Sequence, residues 1–184
     1  MIIGITGTDG AGKGTVVSYL VEQKNFTHYS ARALLLQEIE RQGLPNDRTH
    51  MRLVANELRK QYGNDYVARH YLNQVAKDKP KNSIIESIRA VAEAELLKQN
   101  GVFLLAVDAD QAIRYERVQR RRSSSDKVTF KQFQEHEQLE INDPDPHGMQ
   151  KQKVIDMADA IVYNNGTIEE LRAQVDSVLA TMYI

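Results

Sequence analysis

The chain has 184 residues, 41% apolar and 27% charged, with a formal net charge of −1 and no cysteine. That length suits one domain with a full-sized core. The near-neutral balance argues against a general nucleic-acid or anionic-membrane binder, and the lack of cysteine removes disulfides and thiolate zinc sites. The apolar start, Met1 to Ile5, is too short for a signal peptide or a spanning helix. The expectation is therefore no membrane partner, no nucleic acid, and the cytoplasm as default compartment.

Met1-Ile2-Ile3-Gly4-Ile5 reads as a strand and feeds Gly7-Thr8-Asp9-Gly10-Ala11-Gly12-Lys13-Gly14-Thr15. That run fits G-x-x-x-x-G-K, and Val16, Val17, Leu20 and Val21 follow at helical spacing. Strand, glycine turn and helix in this order are the context that makes the match a phosphate-binding loop. Its glycines let backbone N–H groups turn inward, and the helix N-terminus adds free N–H groups and a favourable dipole. Lys13 supplies a mobile positive charge for phosphoryl oxygens. Gly7, Asp9, Gly10, Ala11, Gly12, Lys13, Gly14 and Thr15 are thus the candidate residues for binding ATP, and Lys13 is expected to face solvent when the site is empty.

Phe26 to Tyr29, ending at Ser30, reads as the second strand. Three helices follow: one through Ile39 to Gly43, one capped by Asn46 or Asp47 and ending at Gly63, and one capped by Asn64 or Asp65. Ser83 to Glu86 is the third strand, Arg89 to Gln99 a helix, and Val102 to Val107 a buried strand. Asp110 caps a basic helix, Thr129 to Ile141 is a polar helix, and residues 142 to 148, with two prolines, are a break. A helix near Met149 to Met157 leads to the last strand, Ala160 to Tyr163, and Asn164-Asn165-Gly166 turns into an amphipathic helix. Strands alternating with helices predict an α/β domain, a five-stranded parallel sheet with helices on both faces. Ligands in such sheets sit beyond the carboxyl ends of the strands, which gathers Gly7 to Thr15, Ser30 to Arg32, Glu86 to Arg89, Asp108 and Asn164 to Gly166 along one edge.

The G-K-G-T ending of the loop resembles adenylate kinases and related nucleoside monophosphate kinases, and its Asp9 resembles the loop aspartate of thymidylate kinases, which faces the acceptor. Ile85 to Glu95 is similar to the adenylate kinase stretch D-G-F-P-R-T-x-x-Q-A-E. The resemblance implies that Arg89, with Arg32, grips the acceptor. It also implies that Glu86 stands beside Mg²⁺ through water or accepts a proton, and that Thr15 lies at the phosphates. A plainer alternative makes Glu86 and Arg89 a surface ion pair. Of Arg114, Arg117, Arg120, Arg121 and Arg122, the pair Arg117 and Arg121 sits at i and i+4 and by resemblance comes onto the transferring group from a lid; at least two of the five are expected to be a solvated helix end.

Asp159 to Thr167 resembles the ending of dephospho-coenzyme A kinases, which places Asn164, Asn165 and Gly166 against the donor base. The middle of the chain, through Leu53 to Arg59, Tyr62-Gly63 and Val67-Ala68, with Ile88-Arg89 later, resembles uncharacterised archaeal P-loop proteins of the nucleotide-kinase group. The implied fold is the P-loop NTPase three-layer sandwich in one domain over 1–184, with a helical acceptor-binding insertion at 31–78 and a lid-like segment at 120–148, both closing over bound nucleotides. The implied function is ATP-dependent phosphoryl transfer to a small nucleotide-like acceptor. The alternative is a nucleotide-binding sensor with weak hydrolysis, since adenylate kinases carry an arginine where this chain has Leu36. No zinc-deaminase signature is present, and oligomeric state is not legible.

Overall fold

The computed structural model describes residues 1–120, 128–141 and 143–182. Strands β1 (Ile2–Gly7), β2 (Thr27–Ser30), β3 (Ser83–Glu86), β4 (Phe103–Asp108) and β5 (Ala160–Tyr163) form one parallel sheet in the order β2-β3-β1-β4-β5. Helix α1 (Lys13–Lys24) follows β1. Helices α2 (Ala31–Gln42), α3 (Arg48–Tyr62) and α4 (Tyr66–Asp78) lie between β2 and β3, and α5 (Val91–Gln99) between β3 and β4. Helices α6 (Gln111–Arg120), α7 (Phe130–Ile141) and α8 (Lys151–Asp156) precede β5, and α9 (Ile168–Met182) follows it.

The alternation of side chains along each strand divides the core in two. Ile3, Ile5, Ile84, Leu105 and Val107 point to one face and pack against Val16, Val17 and Leu20 of α1 and Leu171, Val175 and Leu179 of α9. Ile85, Leu104 and Tyr29 point to the other, against Val67, Tyr71 and Val75 of α4, Ala94 and Leu97 of α5 and Val154 of α8. Each such Leu or Ile contributes roughly 1.5–3 kcal/mol through apolar burial. A third, smaller cluster joins Ile39 of α2 to Val54 and Leu58 of α3. The α2–α3 pair therefore has its own apolar seam.

The expected elements are present, with three shifts. Phe26 lies outside β2, buried in the core beside α1. The strand expected at 102–107 runs at Phe103–Asp108. The helix expected from Arg89 begins at Val91, because Ser87 takes a left-handed φ of 72° and Ala90 is extended at φ −110°. Arg89 thus sits in a turn rather than on a helix. Asp47 caps α3 as expected, accepting from His50 N at 2.9 Å, whereas neither Asn64 nor Asp65 caps α4 with its side chain: the Asp65 carboxylate takes Arg69 instead.

Candidate active site

Two glycines shape the loop after β1. Gly7 has φ 132°, and a Cβ there would lie 2.0 Å from the Val107 carbonyl oxygen of the neighbouring strand. Gly12, the N-cap of α1, has φ 100°, and a Cβ would lie 2.2 Å from the Asn164 amide nitrogen. Both positions exclude any side chain. Asn164 Nδ2 donates to the Ala11 carbonyl at 2.8 Å, and Arg117 Nη2 donates to Asn164 Oδ1 at 3.3 Å. The loop is thus braced from β5.

A cavity of about 590 Å³ opens above the carboxyl ends of β1, β2 and β3. That volume lies within the usual range for a small-molecule site. On one side it meets Asp9, Gly10, Gly12, Lys13, Gly14 and Thr15, and on the other Arg32, Arg48, Glu86 and Arg89, with Leu35, Met51, Ala55 and Val67 as an apolar wall. The sequence-derived candidates Asp9, Gly10, Gly12, Lys13, Gly14, Thr15, Arg32, Glu86 and Arg89 therefore share one space. Gly7, Ala11, Arg117, Asn164, Asn165 and Gly166 are not among the residues that line it; Asn164 and Arg117 reach the loop through the Ala11 carbonyl, while Asn165 pairs with Asp110. Arg121 and Arg122 lie outside the described residues.

Lys13 does not face solvent. Its side chain is only 11% exposed, and Nζ donates to the carbonyls of Gly7 at 3.1 Å and Thr8 at 2.8 Å. The carbonyls of its own loop are its nearest acceptors, closer than Asp9 Oδ1 at 3.9 Å. Burial pushes its pKa down to about 8 against the pull of Asp9, and the charges of Lys151 and Arg89 act in the same direction as burial.

Asp9 is the meeting point of the site. Arg48 Nη1 reaches Oδ2 at 2.9 Å, and Lys151 Nζ reaches Oδ1 at 3.0 Å. Arg89 Nη2 and Lys13 Nζ stand at 3.8 and 3.9 Å from the same Oδ1. Burial alone would raise the Asp9 carboxyl, but the charges of Lys151, Arg89, Lys13 and Arg48 outweigh it and hold the group well below the usual carboxylate range.

Glu86 does not pair with Arg89, so the surface ion pair does not form; its carboxylate meets His28 Nε2 across neighbouring strands at 3.0 Å. Burial would raise this carboxyl, while the hydrogen bond and charge of His28 and the charges of Lys13 and Arg89 bring it below its ordinary value. Arg89 is set by its backbone, since its N–H donates to Glu93 Oε2 at 3.0 Å and its carbonyl accepts from Gln150 N at 2.9 Å. Arg32, exposed at the start of α2, lines the cavity with no hydrogen bond or ion pair to a described residue.

Several site residues escaped the sequence reading. Arg48, Arg52, Lys151 and Glu140 belong to no local motif; they reach the site through α3, α7 and α8. Asp143 to Gly148, read as a break, is a structured loop docked on α3. Arg52 Nη1 donates to Asp143 Oδ2 at 3.1 Å, Asn56 Nδ2 to Asp145 Oδ2 at 3.0 Å, and Asn64 Nδ2 to the Pro146 carbonyl at 3.3 Å. Arg114, one of the five arginines, is buried rather than solvated. It donates to the Ala109 carbonyl at 2.7 Å and pairs with Glu137 of α7, whereas Arg120 is the solvated helix end expected.

A parallel sheet ordered β2-β3-β1-β4-β5, with a glycine loop leading into α1, defines a P-loop domain. The chain belongs to the AAA domain family AAA_18, which matches residues 3–143. It is 31% identical over 182 residues to the UPF0200 protein PAE1629 of Pyrobaculum aerophilum, covering 97% of this chain and 96% of the relative. A UPF0200 protein of Staphylothermus marinus is 30% identical over 171 residues, 92% of this chain and 86% of that one. Among solved structures, TT1252 from Thermus thermophilus superposes with a TM-score of 0.64 at 21% identity, over 98% of this chain and 97% of that chain. Shikimate kinase from Acinetobacter baumannii, in complex with shikimate, superposes with a TM-score of 0.60 at 13% identity, over 98% and 93%. These two likenesses concern the fold alone. No helix among the described residues is long and apolar enough to cross a membrane.

Proposed function

We propose that this protein is an ATP-dependent phosphotransferase acting on a nucleotide-like acceptor. The observation that carries the proposal is the single cavity joining the phosphate loop to a cationic, partly apolar compartment under α2 and α3. A protein that only bound ATP would have no use for the second compartment. Lys13 and the loop amides of Gly10 to Gly14 hold the β- and γ-phosphates, Thr15 the α-phosphate, and Arg117 with Asn164, Asn165 and Gly166 the donor base. Arg89 and Arg32, with Asp9 beside them, hold the acceptor, and the apolar wall of Leu35, Met51 and Val67 receives its ring. The 31–78 stretch is the acceptor-binding part of the one domain, and 120–148 is the lid. Catalysis is positioning and electrostatics: as the acceptor oxygen bonds to the γ-phosphorus, the bond to the β–γ bridging oxygen breaks and ADP leaves.

Among the described residues no three acidic or histidine side chains form a metal cage, but Thr15 and Glu86 both line the cavity. That sparse donor set fits Mg²⁺, which keeps its waters and binds through one or two carboxylates plus substrate phosphates. When bound, Mg²⁺ neutralises charge on the β- and γ-phosphates.

The test is a screen of nucleoside monophosphates and dephospho-coenzyme A with ATP and Mg²⁺, following ADP release, in the wild type and in Arg89→Ala. The expected result is turnover with at least one acceptor. Arg89→Ala should lower kcat/KM about ten- to a hundred-fold, the worth of one guanidinium–phosphate contact, while ATP affinity is unchanged. If no acceptor gives turnover and Arg89→Ala changes nothing, the nucleotide-sensor reading takes its place.

A further inference from the structure

Three carboxylates line the cavity, those of Asp9, Glu86 and Glu140, and they are partnered differently. Asp9 takes Arg48 at 2.9 Å and Lys151 at 3.0 Å, and Glu140 takes Lys151 as well. Glu86 has no ion pair with a described lysine or arginine; the charges of Lys13 and Arg89 reach it only from further away. Its bonded partner is His28, whose Nε2 stands 3.0 Å from Oε2, and Oε1 has no hydrogen bond to a described residue. Among the described residues, then, this carboxylate is held by a histidine alone.

His28 is not itself among the residues that line the cavity. It lies on β2, the edge strand beside β3, where Ser30 stands opposite Glu86. His28 is two residues before Ser30 and so falls on the same face of the sheet as Glu86. Ile84, opposite His28, packs with α1 on that face. The direction of the bond follows from its chemistry. The Glu86 carboxyl is held below its ordinary value, so near neutral pH it is ionised and only accepts; the proton is therefore on Nε2. The last torsion of a glutamate is broad when nothing holds it, and this bond holds it. We propose that His28 is a positioning residue of the site: its Nε2–H fixes Glu86 Oε2 and leaves Oε1 as the oxygen that serves the reacting groups. This rests on the phosphoryl-transfer reading above, in which Glu86 is the carboxylate offered to Mg²⁺.

The test is a double-mutant cycle of His28→Phe and Glu86→Gln, with His28→Gln as the conservative variant. His28 is exposed on an edge strand, so these variants should fold. Turnover is measured with ATP, Mg²⁺ and the panel of nucleoside monophosphates and dephospho-coenzyme A named above. Loss of the bond that orients a metal-side carboxylate should lower kcat about tenfold, with the KM for ATP within about twofold of the wild type. His28→Gln, whose amide still donates, should recover most of the loss. In the Glu86→Gln background His28→Phe should cost no more than about twofold further, whereas loss of β2 packing alone would cost the same in both backgrounds. Nitrogen-15 spectra of the ligand-free protein, at alkaline pH where the ring is neutral, should show the His28 proton on Nε2. The inference is overturned if His28→Phe keeps kcat within about twofold of the wild type, if its cost is the same in both backgrounds, or if the neutral ring carries its proton on Nδ1. Any of these results with an active wild type leaves the phosphoryl-transfer reading standing; if the wild type turns over no member of the panel, both fall.

Discussion

The buried pair Arg59–Glu93 offers the sharpest test of how the compartment under α2 and α3 is held. Arg59, on α3, is 4% exposed, and Glu93, on α5, is fully buried; Nε donates to Oε1 at 3.0 Å. The other oxygen of Glu93 accepts the N–H groups of Arg89 at 3.0 Å and Ala90 at 3.1 Å, so this carboxylate joins α3 to the turn that presents Arg89. Arg59→Met leaves the carboxylate in the core without its cation. Removing one partner of a buried ion pair costs roughly 3–5 kcal/mol. The two surviving N–H donors put this case near the lower end, about 3 kcal/mol. For a chain of this size each kcal/mol moves Tm by about 2–4 °C, which predicts a fall of about 6–12 °C. Urea unfolding followed by circular dichroism should show the loss in the midpoint with the slope unchanged. A loss below about 1 kcal/mol would falsify the claim that this pair holds α3 to the Arg89 turn and α5.

Two further expectations follow from the loop. Because burial sets the Lys13 pKa at about 8 in the ligand-free protein, phosphate has to bind the protonated form. ATP affinity should be flat below about pH 7.5 and fall about tenfold per pH unit above 8, until the raised pKa of the complex is passed. The same depressed pKa means that the folded state binds fewer protons than the unfolded chain between about 8 and 10.5, so its contribution to stability grows with pH there. A Kd that does not change between pH 7 and 9.5 would remove Lys13 from phosphate contact. Gly7→Ala should unfold or severely destabilise the chain because its Cβ meets the Val107 carbonyl. Gly14→Ala, in open space within α1, should leave the protein as stable or up to about 1 kcal/mol more so; matching Tm values for the two variants would contradict the loop geometry.

The sequence made legible what is local. The phosphate loop is encoded within nine residues, and each strand by a short apolar run, so Gly10, Gly12, Lys13, Glu86 and Arg89 were all placed on the correct edge. Arg89 was misread as helical because Glu86 to Glu95 lacks a glycine or proline to mark the turn; the break comes from the left-handed Ser87. Lys13 was expected in solvent because the pull of the Gly7 and Thr8 carbonyls appears only once the loop is closed. Arg48 and Lys151 were out of reach for another reason: 103 positions separate them in the chain, and only the tertiary fold brings both to Asp9. The run Asp-Pro-Asp-Pro-His-Gly did carry a signal. Asp143 and Asp145 each accept a backbone N–H two residues on, at 3.0 and 2.8 Å, the aspartate-stabilised turn that this composition favours.

That docked loop bears on the order of kinetic events. Its contacts with Arg52, Asn56 and Asn64 join the roof of the proposed acceptor compartment to the chain leading into α8, and Arg59 also donates to the His147 carbonyl. While this seam holds, α3 cannot swing away without carrying residues 143–148, and Lys151 with them. One gate then serves both halves of the cavity. Donor and acceptor would find their places in either sequence, and neither product would have to wait for a separate door. Initial-velocity plots should accordingly intersect, with each product inhibiting competitively against its own substrate, the pattern of random rather than compulsory addition.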